Sequence, residues 1–496
     1  MAADTGEQRD PEVSAAVRDE RVPTGVEGLD EILHGGYPVG ATLLIEGAPG
    51  TGKTTLAMQF LLAGQERGQR TLFVSIAQSE SELRRMADSH GFDIADVNIH
   101  SPDLLDGGGS RTFSVESDEA ELVSLIEQVH GKIDEVKPDL LVFDSLLELR
   151  LLAPTPTTYR RELLALRNRL RRSGTTTLLL DHLDPQGERH AEGILHGVVR
   201  LDAENPPNGI AVRRMNVLKL RASSFEEGFH DLRIFTGGMR VFPRVVPSDS
   251  VQGPINKQLS IPHEYLTKML GGGLEFGTTT LISGQSGAGK STLATLFALG
   301  AAEQGYKSAL FLFEERPEVF RVRSEGVGFG MAECEADGRL VLKHFDPAEI
   351  SPGEFSHAVI NAVENDGVRL VVIDSLTGYL KALPDRRNVD THLHTLLQYL
   401  ARRGVLVIVT LAQHGLLGES AVTELDSSYL ADSILLLRQY AAGSEIRRSL
   451  AVMKKRHTEH ERSIRELVIR QGEVVINPID DDEYARADRA ERHSGP

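Results

Sequence analysis

The 496-residue chain has one cysteine and no tryptophan. Cys334 alone cannot form a disulfide within the chain, so a reducing cytoplasm is the expected setting. No apolar run reaches the ~20 residues that cross a bilayer. The opening stretch, MAADTGEQRDPEVSAAVRDE, lacks the apolar core of a signal peptide. Positive charge is also scarce, with 54 Lys and Arg against 72 Asp and Glu, a net −18. That sign repels a phosphate backbone and weighs against nucleic-acid binding unless basic residues gather in a pore. With 40% hydrophobic and 25% charged residues, the composition suits a globular protein of two ordinary domains.

Glycine, by contrast, is plentiful and clusters where it carries chemistry. In LISGQSGAGKST an apolar strand runs into a phosphate-binding loop, Gly284, Gln285, Ser286, Gly287, Ala288, Gly289, Lys290, Ser291 and Thr292. The glycines let backbone N–H groups turn onto phosphate oxygens, Lys290 adds positive charge, and Ser291 offers a hydroxyl to Mg²⁺. The apolar helix that follows aims its N-terminal dipole at the anion. The same device occurs earlier as Gly47, Ala48, Pro49, Gly50, Thr51, Gly52, Lys53, Thr54 and Thr55.

Other landmarks repeat with nearly the same offset. Lys53 and Lys290 are 237 residues apart; Asp144 and Asp374, each ending an apolar strand, are 230 apart; the Lys-x-Arg motifs at Lys219–Arg221 and Lys454–Arg456 are 235 apart. One fold is therefore expected twice: an α/β architecture of two tandem P-loop NTPase domains, each a mainly parallel sheet flanked by helices. Asp144 and Asp374 sit where a carboxylate holds Mg²⁺ or its water shell, so the metal-ligating sets are Thr54 with Asp144 and Ser291 with Asp374. The expected boundaries are a flexible leader over 1–20, domains over 21–243 and 259–476, a proline-bearing linker over 244–258, and a disordered acidic tail over 477–496.

A Thr-Gly-x-x-x-Leu-Asp-like opening (TGVEGLD), a Gly-Gly turn, a strand and G-x-x-x-x-G-K-[ST] resemble the RecA-type ATPases. The two-copy order of loop, acid and Lys-x-Arg resembles the KaiC family, over residues from about 20 to 475. That resemblance implies ATP and Mg²⁺ as ligands and a pair of glutamates after the second core strand, one acting as the base that polarises water. Glu314 and Glu315 fill those positions in the second half, whereas the first half has Ala77 and Gln78, which cannot accept a proton as a carboxylate does. Glu80 and Glu82 are the nearby carboxylates that could substitute. The first domain is thus expected mainly to bind ATP and the second to carry catalysis.

Polar strand ends lie where RecA-type folds place a γ-phosphate sensor: Asp181 and His182 in one half, Gln413 and His414 in the other, with Gln413 favoured. The resemblance further implies that Lys219 and Arg221, and Lys454 and Arg456, reach the nucleotide of a neighbouring subunit in a homo-hexameric ring. In that family the second domain phosphorylates adjacent Ser and Thr residues. Here the matching positions are Ser428 and Tyr429, with Ser427 as an additional acceptor. The expectation is an ATPase with serine autokinase activity that switches an unidentified signalling protein. The tail is shorter than the one by which clock members engage their activator, so circadian timing is not implied.

Two other classes share the loops. A RecA- or helicase-type DNA-dependent motor needs basic, glycine-rich pore loops, and the segments after Asp144 and Asp374 carry only a few Arg and Lys. A non-hydrolysing nucleotide sensor would need neither glutamate.

Overall fold

The computed structural model describes residues 20–102, 115–183, 190–206, 210–247, 257–261, 263–381, 386–413, 430–471, 473–480 and 484. The chain divides into two compact units, Met1–Glu204 with Val212–Arg244, and Asn205–Ala211 with Val245–Pro496.

The first unit is built on a nine-stranded sheet. Its strands are β1 (Thr42–Gly47), β2 (Thr71–Ser75), β3 (Asn98–His100), β4 (Leu140–Asp144), β5 (Thr176–His182), β6 (Gly197–Glu204), β7 (Val212–Leu220), β8 (Phe229–Phe235) and β9 (Gly238–Phe242). They lie in the order β3-β2-β4-β5-β1-β6-β7-β8-β9. The first six in that order are parallel, and the last three close the edge as antiparallel strands.

Strand β1 reads TLLIEG because a parallel strand covered on both faces must be apolar on both. Leu43 and Ile45 pack with Leu56 and Phe60 of helix α1 (Lys53–Glu66) on one face. On the other face Leu44 meets a core that includes Leu125 of α2 (Val115–Val136) and Leu163 and Leu170 of α3 (Pro156–Ser173). Helix α3 starts where Thr155 accepts a hydrogen bond from the Thr158 N–H and Pro156 presets the first turn; it stops at Gly174, whose φ of 73° suits glycine.

The second unit repeats this plan with β10 (Thr279–Gly284), β11 (Lys307–Leu312), β12 (Leu340–His344), β13 (Val368–Asp374), β14 (Leu406–Ala412), β15 (Ser433–Ala442), β16 (Glu445–Lys455), β17 (Arg465–Arg470) and β18 (Glu473–Pro478). Their order, β12-β11-β13-β14-β10-β15-β16-β17-β18, matches the first sheet element for element. The expected tandem of mainly parallel, helix-flanked sheets is what the chain folds into. In both sheets one strand separates the phosphate-loop strand from the acid-bearing strand.

Two short pairings precede the loop strands, Arg21–Val22 with Tyr37–Pro38 and Gln258–Leu259 with Leu274–Glu275. Gln258, the last residue of the expected linker, therefore belongs to the second unit's entrance. At the other end β18 runs to Pro478, and the Tyr484 ring lies edge-on to Tyr440 at 5.1 Å.

One face of the second sheet carries a cluster of aromatic rings. Phe355 lies 5.1 Å from Phe313, 5.8 Å from Phe311 and 5.0 Å from Tyr379, centroid to centroid, and is 1% exposed. Phe355→Ala is expected to destabilise the second unit by about 3–5 kcal/mol. Urea unfolding followed by circular dichroism should show its transition at lower denaturant, and an unmoved midpoint would contradict this.

Candidate active sites

Each phosphate loop turns at the C-terminal end of a buried strand. The last loop glycines, Gly52 and Gly289, both have φ 103°, and a Cβ on either would stand under 3 Å from Ile234 or Ile469. The first ones, Gly47 and Gly284, pass so close to Leu201 O and Leu437 O that a Cβ would sit 2.4 and 2.3 Å from those oxygens. Glycine is thus required at both ends of the loop, by backbone angle at one and by close approach at the other.

The lysines adopt the same posture in both copies. Lys53 Nζ donates to Gly47 O at 2.6 Å and Ala48 O at 3.0 Å; Lys290 Nζ donates to Gly284 O at 2.9 Å and Gln285 O at 2.7 Å. Burial lowers both ammonium pKa values, against the opposing field of Asp144 and Asp181 at Lys53 and of Asp374 and Glu314 at Lys290.

Thr54 Oγ1 donates to Asp144 Oδ2 at 3.2 Å, and Ser291 likewise hydrogen-bonds Asp374. Burial raises both carboxyl pKa values, with these hydroxyls pulling the other way. A hydroxyl and a carboxylate are hard oxygen donors, the set that suits Mg²⁺ when phosphates and water complete its shell. Among the described residues no group of three or more His, Cys, Asp or Glu could hold a metal ion. In the first unit Gly50, Lys53, Thr54, Gln78, Asp144 and His182 line part of a cavity of about 400 Å³.

The two sites differ beside the phosphate loop. Glu314 Oε1 accepts a hydrogen bond from Ser375 Oγ at 2.8 Å, and Ser375 follows Asp374. Glu315 instead forms an ion pair with Arg323 at 2.8 Å. In the first unit Ala77 replaces Glu314, and Ser145 Oγ, the counterpart of Ser375 Oγ, is buried with no partner. Met86, counting from the same helix start, stands where Arg323 does and lines the cavity.

Glu80 and Glu82 do not fill the gap. Glu80 pairs with Arg84 at 2.7 Å, and Glu82 closes a capping box with Ser79 at the start of their own helix, Glu80–His90. The partners of the glutamate pair, Ser375 and Arg323, escaped the sequence reading; the Asp-Ser dipeptide repeated at 144–145 and 374–375 was the signal for the serine.

The strand-end residues separate by face. His182 lines the first cavity, while the neighbouring Asp181, by strand alternation, lies on the opposite face, 3.6 Å from Arg150. Sheet register pairs His182 with Gly47 and Ala412 with Gly284. Gln413, whose N–H donates to Gly284 O at 3.0 Å, is therefore the counterpart of Leu183, not of the Asp181–His182 pair. His414, Ser427, Ser428 and Tyr429 lie outside the described residues.

The Lys-x-Arg pairs lie apart from their own phosphate loops. Lys219 Nζ donates to Glu192 O at 2.5 Å and Arg221 Nη2 to Gly193 O at 2.8 Å, and both line a separate hollow of about 450 Å³. Lys454 Nζ donates to Ala431 O at 2.8 Å, and Arg456 Nη1 lies 3.3 Å from Asp432 Oδ1. Both arginines fall one residue beyond their strands, which end at Leu220 and Lys455.

A phosphate loop on each first core strand, an acid two strands away and the same sheet order twice define a tandem RecA-type P-loop ATPase. A family model described as "ATPase: KaiC" matches residues 22–246 and again 261–481. The chain belongs to the KaiC ATPase family, and so binds ATP. The circadian clock oscillator protein KaiC of Picosynechococcus sp. is 27% identical, over 92% of this chain and 89% of that protein. The circadian clock protein KaiC3 of Synechocystis sp. is 26% identical over 93% and 92%, respectively. No helix among the described residues is long and apolar enough to cross a membrane.

Two outcomes follow from this geometry. Ala77→Glu should give Ser145 a partner and the first unit measurable ATP turnover, read as phosphate release in a Lys290→Ala background; release equal to that of Lys290→Ala alone would contradict it. Burial pushes the Asp181 carboxyl up to about 6, so the folded state binds its proton more readily than the unfolded state. Its charge therefore opposes folding above pH 6, and the penalty fades as pH falls toward 4. Asp181→Asn should raise the melting temperature at pH 8, by the equivalent of about 3 kcal/mol, and leave it nearly unchanged at pH 4.

Proposed function

We propose that the chain is a Mg²⁺-dependent ATPase and serine autokinase whose second domain performs the chemistry and whose first domain holds ATP as a structural ligand. The observation that carries this reading is the contrast beside the loops: Glu314 oriented by Ser375 in one unit, Ala77 and an orphaned Ser145 hydroxyl in the other.

In this reading Glu314 is the base. Its free carboxylate oxygen takes the proton of the attacking group, water or a serine hydroxyl, while Ser375 fixes its orientation. Glu315 is engaged by Arg323 and serves to hold that arginine. Lys290 leaves its loop carbonyls for the β and γ phosphates. Ser291 and Asp374, like Thr54 and Asp144, would hold Mg²⁺, which neutralises charge on the transferring phosphoryl group. Gln413 is the γ-phosphate sensor, since its backbone is fixed to the first loop glycine.

The Lys-x-Arg pairs act in trans. Lys219 and Arg221 line a hollow separate from their own loop, which supports a role at a neighbour's nucleotide, and a head-to-tail contact of that kind closes as a ring, here a homo-hexamer. The acceptors are Ser428 and Ser427 of the adjoining subunit. The output is the state of this ring, read in the cytoplasm by a signalling protein.

The test incubates wild type, Glu314→Gln and Glu315→Gln with γ-labelled ATP with and without Mg²⁺, following free phosphate and protein-bound label. Glu314→Gln should lower turnover by about 10²-fold or more, and Glu315→Gln by less. Label at Ser427 or Ser428 would establish the autokinase; free phosphate alone would leave an ATPase and remove the kinase. Turnover that survives Glu314→Gln would overturn the assignment of the base.

A further inference from the structure

The middle residue of the second Lys-x-Arg motif is itself a lysine, and it is buried. The Lys455 side chain is fully covered, and its ammonium spends its three protons on Leu270 O at 2.5 Å, Gly273 O at 2.7 Å and Glu275 Oε1 at 2.9 Å. Glu275 is nearly as enclosed. Its Oε1 also accepts from Gln258 Nε2 at 3.0 Å and Thr458 Oγ1 at 3.0 Å.

Burial alone would push the Glu275 carboxyl pKa up, but the hydrogen bonds from Lys455, Gln258 and Thr458 outweigh it and hold the group below its ordinary value. One carboxylate oxygen thus grips the chain on both sides of Arg456, at Lys455 and at Thr458. It ties that segment to the glycine turn that precedes the phosphate-loop strand.

The corresponding positions among the described residues of the first unit hold no such ion pair. Matching the short pairings places Pro38 opposite Arg21 where Glu275 stands opposite Gln258, and the middle residue of the first motif is Leu220. An apolar pair at these positions is therefore compatible with the fold. A buried ion pair is often no more stabilising than such a replacement, so stability does not explain its presence. What it adds is a fixed geometry, in the unit that also retains the glutamate pair.

We propose that Lys455 and Glu275 are positioning residues for phosphoryl chemistry: their clamp fixes Lys454 and Arg456 in the orientation in which they meet the neighbouring subunit's nucleotide. This rests on the trans reading of the Lys-x-Arg pair. A misplacement of about 1 Å can cost as much as 10²-fold in rate, which is the scale on which such a clamp matters.

The test compares Lys455→Met/Glu275→Met, which leaves no buried charge unpaired, with Arg456→Ala and with all three changes together. ATP dissociation constants, turnover and melting temperature are measured for each. The double variant should melt and bind ATP like wild type but turn over about tenfold more slowly, and adding Arg456→Ala should cost little more than Arg456→Ala alone. Wild-type turnover in the double variant beside an impaired Arg456→Ala would overturn the clamp. Wild-type turnover in Arg456→Ala would instead sink the trans reading, and the clamp with it. Should the double variant melt early, Thr458→Val removes one hydroxyl contact to Glu275; lowered turnover at unchanged ATP affinity supports the clamp, and unchanged turnover overturns it.

Discussion

Each phosphate-loop lysine is held by two carbonyl oxygens of its own loop, and that contact depends on a strand end pressed between two others. Gly47 and Gly284 lie against Leu201 O and Leu437 O with no room for a side chain. The loop can wrap back over the lysine only because the strand before it is pinned in register on both sides. The rest of each unit supplies what that pinning needs: apolar cover on both faces, and on the next strand but one an acid within reach of the loop's hydroxyl residue.

With the scaffold repeated so closely, the difference between the units comes down to a few polar groups. Glu314 and Ser375 hydrogen-bond in one, and their counterparts Ala77 and Ser145 cannot. Glu315 and Arg323 form an ion pair, and Gln78 and Met86 do not replace it. In the first case only the carboxylate is missing, which leaves the Ser145 donor buried without a partner; in the second both members are replaced by uncharged residues, so no charge is left unpaired.

Buried charge is also distributed differently. The first unit places Glu46 against Arg200 at 2.5 Å within the sheet, where the second has Ser283 and Leu436. The second unit places Lys455 against Glu275 at its entrance turn, where the first has Leu220 and Pro38. Such pairs cost desolvation, offset in part by the hydrogen bonds that the carboxylates accept. Each unit has thus diverged where the shared fold leaves a choice of packing, while the loops stay alike.

Much of this was legible in the sequence. Strict motif spacing and doubly apolar strands determined two phosphate loops, two acid-bearing strands and a duplicated α/β plan, because backbone angles and burial leave few residue types able to serve. The loss of the first glutamate pair was equally plain, since Ala77 and Gln78 have no carboxylate. Only the tertiary structure decided which glutamate faces the loop, because Glu314 and Glu315 are adjacent and chain order does not say which way each side chain turns. It likewise set Asp181 and His182 on opposite faces, shifted Gln413 out of register with them, and brought Glu275 to Lys455 across some 180 residues of chain. Those pairings depend on contacts between segments far apart in sequence, and no local pattern encodes them.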